Sequence, residues 1–200
     1  MQRRVEDASV INLHAPLPDV PVERFLYRYR SDKRRARLRP LYELMLEEAR
    51  RLAQPASVQD EFAADSLAAL APSFQERTTA AVLAVCTIGP RFEAAILDLF
   101  AQDEPHLGMI LDEICLQLVS GMARAIHAGV RQMALARGLQ VGPPYRPGLG
   151  RWPMDAQRII FDRLPAEEIG VTLDDYLVMH PLKSTSLIIP LRAGIVDLRR

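Results

Sequence analysis

Apolar positions recur along this chain with two different periods, and the period assigns the elements. Between residues 107 and 137, Ile110, Ile114, Leu118, Met122, Ile126 and Val130 recur at spacings of four, with Val119, Ala125 and Met133 widening the stripe. That pattern predicts a long amphipathic helix with one face in the core. Gly138 suits its end, because glycine accepts the left-handed backbone that closes a helix. A second helix is expected over 40–54. Pro40 fits a first turn, Leu41, Leu44, Met45 and Ala49 share one face, and Pro55 stops it. Residues 56–63 alternate as a strand does. The apolar run 80–88 reads as a buried strand, and Gly89-Pro90 turns it into a helix ending near Gln102. A short helix follows over 154–164. Beyond the turn at Ile169-Gly170-Val171, residues 176–180 alternate and 184–191 form a strand. Joined across His180-Pro181-Leu182-Lys183, these two read as an antiparallel hairpin. The mixture predicts an α+β domain: a central antiparallel sheet, flanking helices and one long core helix.

The N-terminal end reads differently. Pro16, Pro18 and Pro21 fix the backbone and remove donors, so residues 1–21 are expected as an extended arm and 22–200 as the folded domain. Between them and the first helix lies a basic run of Arg28, Arg30, Lys33, Arg34, Arg35, Arg37 and Arg39. A solvated loop and helix start explains it, as does a docking patch for an acidic protein or phosphate.

Composition narrows the class. Apolar residues are 49% of the chain, enough for the core of one domain. Net charge is zero, so bulk electrostatics favours neither nucleic acid nor membrane as a partner. Cys86 and Cys115 lie in apolar surroundings far apart in sequence, which argues against a disulfide framework and for a reducing compartment. No apolar run reaches the roughly 20 residues of a membrane span. These features together predict a cytoplasmic protein.

Little reaction chemistry is visible. The four histidines are scattered without metal-ligand spacing, and no nucleophile elbow or dinucleotide fingerprint occurs. The Gly89 turn lacks the glycine spacing and lysine of a P-loop. Glu47/Glu48 and Glu167/Glu168 pair on surfaces expected to be solvated. The candidate site is the rigid proline- and glycine-rich loop 143–153, which carries Tyr145, Arg146, Arg151 and the only tryptophan, Trp152.

At this loop the chain resembles a known family. Arg146-Pro147-Gly148-Leu149-Gly150-Arg151-Trp152-Pro153 is similar to the Ser-Pro-Gly-Tyr-Gly-Asp-Trp-Pro signature of single-domain relatives of the activation (reactivation) domain of cobalamin-dependent methionine synthase. Further matches keep the family's order: Arg28-Tyr29-Arg30, Thr87-Ile88-Gly89-Pro90, Ile110 to Ile114, Gln157, Ile160-Phe161, Ile169-Gly170-Val171-x-Leu173, and Met179-x-Pro181-x-x-Ser184-x-Ser186. The resemblance covers about residues 24–191.

The resemblance implies a C-shaped α+β domain that binds S-adenosylmethionine in a shallow groove. The ligand would lie on Tyr145, Arg146, Pro147, Gly148, Leu149, Gly150 and Trp152, with no catalytic side chain and no metal ligand in this chain. Cobalamin would come only through a partner: a corrinoid-binding protein, or a methionine synthase lacking its own activation domain. A flavodoxin-like donor would supply the electron for reductive methylation. The sequence departs from the family at three contacts. Pro144 stands where the family has a carboxylate-binding arginine, Leu149 where it has a tyrosine, and Ser120 where a glutamate is common. Arg146 offers a substitute guanidinium. The departures also allow a binding module that docks on a corrinoid protein with its S-adenosylmethionine site lost.

Overall fold

The computed structural model describes residues 9–150 and 152–193. In chain order these form β1 (Val10–Asn12), α1 (Glu23–Leu26), α2 (Asp32–Leu52), β2 (Ala56–Ala63), β3 (Thr78–Thr87), α3 (Arg91–Ala101), α4 (Pro105–Ala136), β4 (Leu139–Val141), α5 (Ala156–Arg163), β5 (Thr172–Leu173), β6 (Met179–His180) and β7 (Ser184–Ala193). Short 3-10 segments occupy Ala64–Ser73 and Ala166–Ile169.

Five strands make one antiparallel sheet in the order β1-β2-β3-β7-β4. Side chains alternate across β3 and β7, and each face meets its own layer. Val82, Ala84, Cys86, Leu187, Ile189 and Leu191 face α4, with α1, α2 and α3 packed beyond. Ala81, Leu83, Val85 and Ile188 face α5, the 3-10 segments and Trp152. The fold is therefore α+β, a central antiparallel sheet between two layers, with the long helix α4 as the spine of the larger layer.

Local signals explain several boundaries. Gly89 takes φ +97°, and a Cβ there would lie 2.8 Å from Gln54 Cβ, so only glycine lets β3 turn into α3 at this close approach. Gly138, at φ +67°, ends α4 as expected. Ala125 and Met133, counted in the α4 stripe, are exposed instead: Ala123, Val130 and Ala134 carry the face that meets the sheet there, and Ala125 and Met133 lie off it.

Three elements differ from the sequence reading. Helix α2 begins at Asp32, eight residues before Pro40, because Ser31 caps it: its Oγ accepts from Arg34 N, and its carbonyl accepts from Arg35 N. Pro40 is exposed inside the helix, where the carbonyl it leaves unpaired faces solvent. The buried face of α2 is Tyr42, Met45, Leu46, Ala49 and Leu52, whereas Leu44 is exposed. Strand β4 follows Gly138, where the sequence suggested irregular chain from Val141.

The expected hairpin does not form. β6 pairs with β5 in a separate two-stranded sheet, while β7 pairs with β3 on one side and β4 on the other. Residues 184–191 are buried on both faces, which demands a central strand with two neighbours rather than one arm of an exposed hairpin. Residues 174–178 are a turn held by Asp174, whose Oδ1 accepts from Tyr176 N and Val178 N. At the other end of the chain, β1 pairs with β2, Ala15 N donates to Pro55 O, and Ala15 and Val20 are buried.

Candidate functional site

The loop that follows β4 is tied to the sheet at its start. Gly142 N donates to Pro190 O at 2.8 Å, and His127 Nε2 on α4 lies 2.9 Å from Gly142 O. Tyr145 and Ile188 then exchange both backbone hydrogen bonds, at 2.8 and 2.9 Å. Tyr145 thus prolongs the β4 edge along β7. The loop therefore rests on β7.

From Arg146 the chain closes on itself. Leu149 N donates to Arg146 O at 3.2 Å, Gly148 N to Trp152 O at 3.0 Å, and Trp152 N to Leu149 O at 3.2 Å. Gly148 and Gly150 carry this turn at φ +81° and +62°, and a Cβ on Gly148 would strike Met154 Cε at 2.7 Å. These three amides of the loop are consumed inside it and are not available to a ligand.

The side chains divide between the two faces of the sheet. Trp152 is 2% exposed and fills the space beneath the turn, edge-on to Phe74 at 5.5 Å and tilted against Tyr145 at 5.1 Å. Pro147 is buried, while Gly148, Leu149 and Gly150 are exposed. Arg146 serves the opposite face. Its charge acts on Cys86, which faces α4, and opposes the burial that pushes that thiol up to about 12. Arg146 is half-buried, and among the described residues its side chain has neither a hydrogen-bond partner nor an ion pair. The loop therefore brings one unpaired guanidinium to the α4 side of the sheet. Arg151 lies outside the described residues.

No protein-family model and no curated protein matches the chain. The solved structures it is similar to include a crystal structure of the MetH reactivation domain bound to AdoHcy, with a TM-score of 0.62 and 14% identity over 84% of this chain and 68% of that one. The chain shares the reactivation-domain fold. At this identity the likeness is one of architecture, and the site rests on this chain's own residues.

Of the three departures, Pro144 and Leu149 lie in the loop and Ser120 lies on α4. Pro144 and Leu149 are exposed, and Ser120 on α4 is half-buried. Neither Pro144 nor Leu149 offers a polar side chain, so among the described loop residues Arg146 is the cationic donor for an anionic group. Where β7 starts, polar groups cluster that sequence reasoning did not select as site residues. Lys183 is largely buried, pairs through Nζ with Asp112 on α4, and donates from its backbone N to Glu93 Oε1. Lys183 O accepts from Ile88 N and from Thr87 Oγ1. Gln157, 4% exposed, donates to Leu177 O and accepts weakly from Ser186 Oγ, joining α5, the 174–178 turn and β7. The signal for Gln157 and Ser186 was their place in the motif order; Lys183 carried none.

Larger clefts lie away from the loop. One of about 740 Å³ separates α2 from α3, and one of about 850 Å³ opens between α1 and the first half of α4. Among the described residues, no group of His, Cys, Asp and Glu could hold a metal ion, and no helix is long and apolar enough to cross a membrane.

Proposed function

We propose that this chain binds S-adenosylmethionine beside residues 145–152 and presents it to a cobalamin carried by a separate corrinoid protein. One observation carries the reading. Arg146 holds a half-buried guanidinium without an acidic partner among the described residues, beside the loop of a fold that one solved structure shows bound to AdoHcy. Such a group suits a ligand carboxylate, which it can grip with two parallel hydrogen bonds. The protein's contribution is position: the sulfonium methyl must face the partner's cobalt. On this reading one electron from a flavodoxin-like donor would reduce the partner's Co(II) to the Co(I) nucleophile, which would take the sulfonium methyl with S-adenosylhomocysteine as the leaving group, while this chain would hold S-adenosylmethionine at Arg146. The corrinoid partner is a separate corrinoid-binding protein or a methionine synthase without its own activation domain.

Calorimetry with S-adenosylmethionine and S-adenosylhomocysteine tests this. Heat of binding is expected for the native chain, with at least tenfold weaker binding for Arg146→Ala at unchanged thermal stability. No heat at millimolar ligand refutes it.

Pro144 and Leu149 support a second reading, a ligand-free module that docks on a corrinoid protein. Binding of a purified corrinoid protein at equal strength with and without S-adenosylmethionine distinguishes that module from the first reading.

A further inference from the structure

Charge is segregated along this chain in a way its zero net charge conceals. Residues 23–39 hold eight cations (Arg24, Arg28, Arg30, Lys33, Arg34, Arg35, Arg37 and Arg39) and two carboxylates (Glu23 and Asp32), a net of +6. The rest of the chain therefore carries −6.

Folding divides these cations into two sets. Arg28 pairs with Glu113 and donates to Tyr42 OH, Arg35 pairs with Asp32, Arg39 pairs with Glu23 and Glu43, and Arg24 donates to Gln117. Arg30, Lys33, Arg34 and Arg37 have no ion pair among the described residues, and all four are exposed. Lys33, Arg34 and Arg37 are spaced one and three apart, which places them on one side of the first turns of α2 along roughly 6 Å of helix, and Arg30 precedes them just before the Ser31 cap. Tyr29 packs against two guanidinium groups, with Arg28 at 5.0 Å and Arg34 at 4.9 Å from its ring centroid. Tyr27 stands beside them, 80% exposed.

This placement does not serve the helix. Lys33 and Arg34 occupy the first turn of α2, where the backbone dipole favours anions and disfavours cations. A feature that opposes local stability and remains unpaired points to a use outside the fold. Arginine with exposed tyrosine is also the composition of binding hot spots.

We propose that Tyr27, Arg30, Lys33, Arg34 and Arg37 form a docking face for a protein surface rich in carboxylates. The proposal is independent of S-adenosylmethionine binding. A carboxylate patch on a folded protein matches a compact cationic face confined to the start of one helix. An extended polyanion such as nucleic acid would run from this face onto a body of charge −6 and be repelled. The chain's own acidic cleft, which holds Asp162, Glu167, Glu168, Asp174 and Asp175, makes a second copy the competing occupant.

The test uses the full chain and a fluorescent, glutamate-rich peptide of about 20 residues, with single-stranded DNA of equal charge beside it, in about 20 mM and about 200 mM salt. Anisotropy is expected to show peptide binding that weakens at least tenfold at the higher salt. Arg30→Glu, Lys33→Glu, Arg34→Glu and Arg37→Glu together should weaken it at least tenfold in low salt. Arg131→Glu, on the far half of α4, should leave it within twofold. The milder Lys33→Gln with Arg37→Gln should show an intermediate loss, and circular dichroism should show both variants folded, since fewer cations in the first turn suit the helix. Three results overturn the proposal: peptide binding unchanged by the fourfold variant, tighter binding of the DNA than of the peptide through these residues, or low-salt sedimentation as a dimer that the fourfold variant disperses.

Discussion

Trp152 is where the loop's rigidity can be weighed. Its indole is 2% exposed, lies against Phe74 and Tyr145, and joins a core with Leu67, Leu70, Leu83, Val85 and Ile188. Truncating a buried tryptophan to alanine costs about 3–5 kcal/mol, from lost transfer energy and the cavity left behind. In a chain of this length 1 kcal/mol moves the melting temperature by about 2–4 °C, so Trp152→Ala should lower it by roughly 6–20 °C. Trp152 Nε1 has no acceptor among the described residues, so Trp152→Phe removes no hydrogen bond to protein. Phenylalanine keeps most of the ring, and the loss should be about 1–2 kcal/mol, near the burial energy of two methylene groups. Urea titration followed by circular dichroism measures both values. Hydrogen exchange adds the local readout: the Tyr145 and Ile188 amides, which bridge loop and β7, should lose protection in Trp152→Ala more than the β2–β3 amides do. A cost below about 1 kcal/mol for Trp152→Ala would show that the loop does not depend on this plug. Equal costs for the two variants would show that the indole N–H, not the packed ring, holds it.

Other expectations follow from single features. Gly148→Ala should destabilise by about 1–3 kcal/mol, since φ +81° and the 2.7 Å approach to Met154 Cε both oppose a Cβ; Met154→Ala should recover part of that loss in urea melts and none if strain in φ alone is responsible. Burial pushes Cys86 and Cys115 up to about 12, so neither thiol should react with a disulfide reagent at pH 8 until the chain unfolds, and prompt labelling of the native protein would contradict their placement. Asp174 is held below the ordinary carboxylate range, first by Val178 N–H, then by His180, with Tyr176 N–H adding to them. A depressed carboxyl contributes above its unfolded pKa of about 3.9 and loses that contribution as pH falls through the folded value. The Val178 amide resonance should therefore shift below about pH 4, and a midpoint above that would refute the turn's hydrogen bonds.

The comparison of sequence and structure turns on range. α4 was legible because its apolar repeat is a property of neighbours three and four apart, and Gly138 and Gly89 mark turns that their own backbones require. The run 80–88 announced a strand buried on both faces. The fold's likeness to the reactivation domain was legible too, through short motifs in a fixed order, several of which sit at turns and at the start of β7. Within the site, the loop's confinement by proline and glycine could be read directly.

What the sequence by itself determined, then, is the set of helices and strands whose stability comes from periodic apolar faces and turn residues. Tertiary structure decided the rest. Partner choice for β7 depended on residues about 50 and 100 positions away, and the sheet's need to bury both faces of 184–191 outweighed the local alternation that suggested a hairpin. Ser31 competed with Pro40 for the start of α2, and the earlier start prevailed because Ser31 caps Arg34 N while the exposed Pro40 is tolerated inside the helix. Which face of the sheet received Arg146, and that no acid met it there, came from the bridge between Tyr145 and Ile188. A one-residue slip of that pairing would exchange the faces of the guanidinium and the tyrosine ring, because side chains alternate with every residue along an extended strand.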